Sequence, residues 1–310
     1  RIYDNGLVAK IKFYTDTPQP ALGIYMNESD PILADARLRY GLAHAFDIDK
    51  VIRTVLRNDY ERLNTMNEGY GDYSNTSIKA RTFDLAKAER YLASAGWVER
   101  DSDGIRTRNG ERLSLRVTYV TAEHTPRLVV IKEEARKAGV ELQLQLLDPS
   151  AGFKQILEKK HQLAWMGWNG GGISPRYRQF FHSSFANKPQ NNNITNTSEP
   201  AFDAAIEAYR AARKKAQRVE LARSLEQMVY DQGSVVPTYK VPYTRAAFWR
   251  WLRLPEHLGT RSTSSLFSPY GSSGGLFWID QPEKEKLGGA GRSAHKSDPV
   301  NSANTDWRVQ

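Results

Sequence analysis

A chain of 310 residues with 40% apolar and 25% charged side chains has the make-up of a soluble globular protein, large enough for one big domain or two modest ones. With no cysteine, it has no disulfides, thiolate metal sites or cysteine nucleophile. No stretch approaches the roughly 20 apolar residues of a membrane span. The formal charge of +9 raises nucleic acid or an acidic surface as partners, but the basic residues are spread along the chain. The densest group is Arg210, Arg213, Lys214, Lys215 and Arg218. It has no interleaved rings to stack bases and reads as a solvated face, with a partner surface as the alternative.

In chain order, residues 10–14 predict a strand, broken by Pro18 and Pro20 and resumed over 21–26. Leu38, Leu42, Ala45 and Phe46 recur at helical spacing from Asp35 onward. Asp47 or Asp49 can cap a second helix carrying Val51, Ile52 and Val55. Residues 58–80, polar and rich in Asn, Gly, Tyr and Ser, predict a long loop. Asp84 caps a helix to Ala95 with Leu85, Ala88, Tyr91 and Leu92 as its buried stripe, and Gly96 stops it. Residues 99–112 carry two hairpin-turn signals, the second at Asn109-Gly110.

Leu113, Leu115, Val117 and Tyr119 alternate as in a strand. A helix over 126–138 follows, then alternation again through Val140, Leu142, Leu144 and Leu146. Ser150 is a candidate cap for a helix to Lys159, and 163–166 is a third apolar run. Strand, helix, strand, helix, strand implies an α/β fold with a largely parallel sheet. Phe202, Ala205, Ile206 and Tyr209 mark one further helix; Val219, Ala222, Leu225 and Val229 mark another, ended by Gly233. Residues 235–241 predict a short or edge strand because of Pro237. Residues 259–275 are rich in Ser and Gly. Residues 276–279 are the last apolar run, and composition predicts disorder for 286–306.

Catalytic patterns are missing from the sequence. His44, His124, His161, His182, His257 and His295 have no metal-ligand spacing, and no Gly-x-Ser-x-Gly elbow occurs. No cofactor is expected. The loop Gly167-Trp168-Asn169-Gly170-Gly171-Gly172 follows the third strand of the layered segment. Loops at the carboxyl ends of such strands bind ligands: Gly lets a ligand approach the backbone, Asn offers donor and acceptor, and Trp offers a broad face with one donor. A turn whose Trp packs into the core is the alternative. A phosphate loop would need a Lys-Ser/Thr ending that is not there. Arg176 or Arg178, near Tyr177, could meet a carboxylate or be a solvated charge.

Several segments, in order, resemble the extracellular solute-binding proteins family 5: Asn27-Glu28-Ser29-Asp30-Pro31, Asp35-Ala36-Arg37-Leu38-Arg39-Tyr40-Gly41-Leu42 with Ala45-Phe46-Asp47-Ile48-Asp49, the helix 84–96, the loop 165–169, Ser198-Glu199-Pro200-Ala201-Phe202-Asp203, and Val235-Val236-Pro237-Thr238-Tyr239. The resemblance spans about residues 20–250 and matches the second half of the family only. It implies a periplasmic-binding-protein-like lobe with helices on both faces of its sheet, one half of a two-lobed fold that closes around its ligand. It also implies strands at 1–30 belonging to a hinge and first lobe, a ligand-binding lobe at 31–245, a return to the first lobe at 246–285 and a polar tail at 286–310. The N-terminal lobe would be missing from the chain.

The function so implied is that of the substrate-binding component of an ABC importer, in the periplasm or outside the cell and membrane-associated. It would capture peptides or peptide-like solutes and deliver them to permease subunits, with no nucleic acid and no catalysis. A hydrolase or transferase on the same architecture, or a basic interaction or nucleic-acid-binding protein, is the alternative. Ligand contacts would come from Gly167, Trp168, Asn169, Gly170, Glu123, His124, Tyr25, Asn27, Arg176 and Tyr177. In the oligopeptide binders an Asp shortly after the Gly-Trp holds the peptide ammonium. Here the matching place is Gly170-Gly171-Gly172, which implies a ligand whose amine is blocked or placed elsewhere.

Overall fold

The structure, a computed structural model, describes residues 2–16, 18, 20–168, 172–257, 277–289 and 298–308. Local sequence sets most of its elements. β1 (Val8–Tyr14) and β2 (Ala21–Met26) are separated by prolines, which cannot donate to a ladder. Asp35 caps α1 (Ala36–Ala45) through the Arg37 amide, and Asp47 caps α2 (Ile48–Thr54) through the Lys50 amide. The polar segment that follows holds only β3 (Glu61–Arg62) and a 3-10 turn, Gly71–Tyr73. Asp84 caps α3 (Leu85–Ser94). Ala88 and Leu92 of its expected stripe are buried and Leu85 partly so, but Tyr91 is exposed; its ring stacks on His44 of α1 instead of entering the core.

β4 (Glu99–Arg100), β5 (Arg106–Arg108) and β6 (Glu111–Arg112) form a small antiparallel sheet, and Asn109 and Gly110 take the positive φ pair of a tight hairpin turn. Next come β7 (Ser114–Tyr119), α4 (Thr125–Lys137), β8 (Glu141–Leu146), α5 (Pro149–Leu157) and β9 (Leu163–Trp168). The cap of α5 is Asp148 and not Ser150. Its carboxylate accepts from the Ser150 and Ala151 amides, and Pro149 takes the first helical position, where no amide is needed.

α6 (Arg178–Phe181), α7 (Pro200–Ala211) and α8 (Lys215–Gln232) follow. α8 ends at Gly233, whose φ is +71°, and a Cβ there would lie 2.7 Å from the Tyr40 ring. Gly233→Ala therefore adds left-handed strain to a clash and is expected to lower the unfolding free energy by about 2 kcal/mol. A urea midpoint unchanged from the parent chain would contradict this. β10 (Val235–Pro237), β11 (Tyr239–Lys240), β12 (Tyr243–Trp249), β13 (Leu252–Arg253), β14 (Trp278–Ile279), α9 (Gln281–Gly289) and β15 (Asn301–Asn304) complete the order. No helix among the described residues is long and apolar enough to cross a membrane.

Two compact units result. One comprises Arg1–Thr17 with Val241–Gln310, the other Pro18–Lys240. In the first, β1 pairs antiparallel with β12, Val8 facing Trp249 and Tyr14 facing Tyr243. On its other side β1 pairs in parallel with β15, from Lys10 opposite Asn301 to Phe13 opposite Asn304. The disorder predicted for 286–306 thus does not hold where the structure describes that segment: 286–289 lie in α9 and 301–304 in β15. A ladder of backbone hydrogen bonds needs no large apolar side chain, so composition does not report it. The Ser- and Gly-rich segment 259–275 lies outside the described residues.

In the larger unit a five-stranded sheet runs β10-β2-β9-β7-β8. β7 pairs in parallel with β8 and β9, while β2 runs against both β9 and β10. The sheet is mixed, with four strands in one direction. Alternation along the strands feeds two cores. Ile24, Trp165 and Val236 enter one with α1 to α4; Tyr25, Ala164 and Val235 enter the other with α7 and α8. The connection β7–α4–β8 steps one way across the sheet and β8–α5–β9 steps back. Crossovers of one hand then place α4 and α5 on opposite faces, and Leu128 and Ile131 of α4 lie in the first core while Ile156 of α5 lies in the second.

Candidate functional site

The reversal of direction at β7 defines the site. Its chain leads to β8 on one side, while β9 pairs on the other. Ligands of open α/β sheets bind outside the carboxyl ends of strands at such a switch point. The carboxyl end of β7 leads into the 3-10 turn Ala122–His124, and β9 ends at Trp168. Sheet pairing thus brings Glu123 and His124 to the same end as Gly167 and Trp168.

His124 is half-buried at the start of α4. Its Nδ1 accepts from Trp165 Nε1 at 2.9 Å. An indole nitrogen only donates, so Nδ1 holds a lone pair and the proton of the neutral ring sits on Nε2. Burial, with the nearby Arg127 charge, lowers the His124 pKa and favours that neutral form. No described residue accepts from Nε2, which leaves it a donor. Arg127 Nη1 donates to the Tyr239 hydroxyl at 2.6 Å. Burial raises Tyr239 to about 12. The rings of Tyr60 and Trp165 flank that of Tyr239, at 5.5 and 6.2 Å. These residues form a continuous aromatic wall with a cation set into it.

Trp168 packs edge-on against Phe180 of α6, ring centroids 5.1 Å apart, and its Nε1 is buried without a hydrogen-bond partner among the described residues. Gly167 is exposed opposite Leu22 of β2. Asn169, Gly170 and Gly171 lie outside the described residues; Gly172 is exposed with φ +83°. Glu123 and Arg176 are exposed.

Three other expected contacts are buried with their polar atoms engaged. Tyr25 is 2% exposed, its hydroxyl donating to the Ala21 carbonyl. The Tyr177 hydroxyl donates to the Ala222 carbonyl at 2.8 Å. Asn27 donates through Nδ2 to the carbonyls of Lys159 and His161. Its Oδ1 accepts from the Ser29 amide and hydroxyl and from Asn196 Nδ2. Arg127, Tyr239, Tyr60 and Trp165 were not singled out by sequence. Arg127 is one helical turn after His124 and so shares its side of α4; the others come from three separate strands or loops.

The geometry defines a class: a lobe of the periplasmic-binding-protein type, with its open site at the carboxyl ends of the sheet. The model of the bacterial extracellular solute-binding proteins, family 5 Middle, matches residues 3–192, and the chain belongs to that family. A putative binding protein of Brucella suis is 23% identical over 291 residues, covering 82% of this chain and 46% of its own length. The oligopeptide-binding protein AppA of Bacillus subtilis is 26% identical over 193 residues, 58% of this chain and 34% of AppA. The solved structure of AppA in complex with a nonapeptide superposes with a TM-score of 0.70, covering 81% of this chain and 50% of that one at 20% identity. NikA of Brucella suis, in complex with Fe(III)-EDTA, gives a TM-score of 0.66 at 20% identity, covering 78% and 48%. The chain thus spans about half the length of the curated relatives it matches.

Proposed function

We propose that this chain supplies one wall of the ligand site of an ABC importer's substrate-binding component. It would work in the periplasm or at the cell surface, capturing peptides or peptide-like solutes and passing them to permease subunits. A ligand would be enclosed when a second lobe closes over the wall, a hinge-type population shift. The observation that carries this reading is the pair of side-chain donors without partners among the described residues at adjacent strand ends, His124 Nε2 and Trp168 Nε1. Such donors suit the carbonyl groups of a ligand main chain, whatever its side chains. Asn169 and Gly170, with Glu123 at the rim, complete the contacts we assign to ligand. Arg176 stays at the periphery, Tyr25 and Tyr177 are engaged in the core, and Asn27 braces the opposite end of β9.

The reading is of capture and not turnover. The relatives are named as binding proteins, and no nucleophile is held by a base on the wall described above. Native mass spectrometry of the full-length protein is the direct test, since a co-purified solute is expected. With the site emptied, Trp168→Ala should weaken that solute about tenfold or more, read by tryptophan fluorescence or calorimetry. With glycines where a carboxylate would hold an ammonium, an N-formylated peptide should bind more tightly than its free-amine form. A clean protein that ignores a peptide panel altogether would remove peptides as the ligand class.

A further inference from the structure

A cavity whose lining includes no residue of that wall lies beside the edge strand β10. It opens between β10, α8 and the polar segment after α2. Val229, Val235 and Met66, which belong to one core, make an apolar side. Glu226, Arg62 and Arg81 add charge to the lining.

Glu226 is only 2% exposed. Its Oε2 accepts from the Asn75 amide at 2.5 Å, while among the described residues Oε1 is buried without a partner at full hydrogen-bonding geometry, the Thr65 hydroxyl and the Asn67 amide being the donors near the carboxyl. A buried oxygen held so weakly is destabilising. The arginines do not satisfy it. Arg62 Nη1 donates to the carbonyls of Leu63, Pro237 and Thr238. Arg81 donates to the Tyr230 carbonyl, its guanidinium 4.0 Å from the Tyr230 ring and 4.5 Å from the Tyr40 ring. Among the described residues Arg81 has no ion-pair partner, so its positive charge is unbalanced at the cavity.

Burial raises the Glu226 carboxyl to about 7, with the Glu68 charge adding to the rise and the Thr65 hydroxyl and the Asn67 and Asn75 amides opposing it. Glu68 is itself paired to Lys240 at 2.5 Å. The other ionisable groups around it are Arg62, Arg81 and Tyr230 of the cavity lining and Tyr177 of the core. Arg223, on the same helix, is tied to the Asp72 carbonyl. Near neutral pH Glu226 therefore keeps its proton in a large share of molecules, and Oε1 becomes an O–H donor that lacks an acceptor.

We propose that this cavity is a binding site for a short aliphatic carboxylate, held between Arg81 and the Glu226 carboxyl with its alkyl chain against Val229, Val235 and Met66. A carboxylate accepts from both donors, balances the guanidinium and fills the apolar side. An ammonium would be repelled by the arginines. The site shares no residue with the His124 and Trp168 wall and stands independently of the importer reading.

Calorimetric titration of the chain with propionate tests it. Binding is expected near pH 6 and about thirtyfold weaker near pH 8.5, where a carboxyl with a pKa of about 7 is ionised and repels the ligand. Glu226→Gln keeps a neutral donor in the same shape, so it should bind propionate with that pH dependence gone. Val229→Phe should fill the cavity and abolish binding, while Trp168→Ala should leave propionate affinity unchanged and so separate this site from solute capture. No propionate binding near pH 6, which would make the cavity a water site, overturns the proposal. So does equal affinity at the two pH values, or a retained pH dependence in Glu226→Gln. That isosteric variant decides the matter if Val229→Phe does not fold.

Discussion

Replacing Asn27 by leucine is expected to lower the unfolding free energy by about 4 kcal/mol, since each buried polar group left without a partner costs about 1–3 kcal/mol. Leucine has a similar volume, so the loss is one of hydrogen bonds and not of packing. Asn27 is 3% exposed and follows directly on β2. Its amide nitrogen serves the carbonyls of Lys159 and His161, in the turn that leads into β9, and its backbone amide donates to the Gln162 carbonyl. Its side-chain oxygen gathers Ser29 and Asn196. Without it, the end of β2 and the start of β9 lose their junction, and β9 carries Trp168. Urea denaturation reads the effect directly. A loss below about 1 kcal/mol would mean that water replaces the lost bonds and that Asn27 does not hold this junction. If Asn27 acts only as support, the molecules that still fold should bind solute as the parent chain does.

Two buried titrating groups should give the protein opposing pH responses that conceal each other. Burial, with Lys159 nearby, lowers His161 from 6.5 to about 4, and the Ile194 backbone beside the ring opposes the fall only in part. As the pH falls below about 6.5 the unfolded chain takes up this proton and the folded chain does not. Stability is then lost down to about pH 4, by about 3 kcal/mol in all. Glu226 is raised by burial from 4.5 to about 7. Its contribution is fully present below about 4.5 and is lost as the pH rises through 7, because the unfolded carboxyl ionises first, again about 3 kcal/mol. Between about pH 4.5 and 6.5 the two slopes cancel. Glu226→Gln should therefore leave a chain that weakens on acidification through that window. His161→Gln should leave one that weakens as pH rises. Denaturation midpoints at half-unit steps of pH resolve both. Identical profiles for the parent and the two variants would sink this account.

The candidate wall was only partly legible in the sequence. His124 and Trp168 stand out because the first follows an alternating run and the second a short apolar run, and residues beyond such runs lie at strand ends. Tyr239, Tyr60 and Arg127 give no such signal. They meet because β11 pairs with β3, Tyr239 opposite Arg62, and because β10 leads into β11 beside β2. The buried roles of Tyr25 and Tyr177 were equally hidden, since a hydroxyl on a strand or before a helix reads the same whether it faces a ligand or a carbonyl across the core. Asn27 carries a motif signal, but the five groups it joins lie at residues 29, 159, 161 and 196.

Sequence by itself determined the local elements and their order. Capping aspartates at 35, 47 and 84, left-handed positions at Asn109-Gly110 and Gly233, the alternation in β7 and β8 and the apolar run of β9 each act within a few residues. The parallel trio of strands follows from chain order too, because a strand–helix–strand unit closes in essentially one way. Tertiary structure alone decided which face each side chain serves and what becomes of the polar tail. The two cores differ by a single residue step along β2, β9 and β10, so only packing separates Ile24 from Tyr25 or Val235 from Val236. β15 exists through backbone bonds to β1, nearly three hundred residues away in the chain, and such bonds are blind to composition. The cavity that Glu226 and Arg81 both line likewise arises only when α8 meets the loop after α2, and no spacing along the chain announces it.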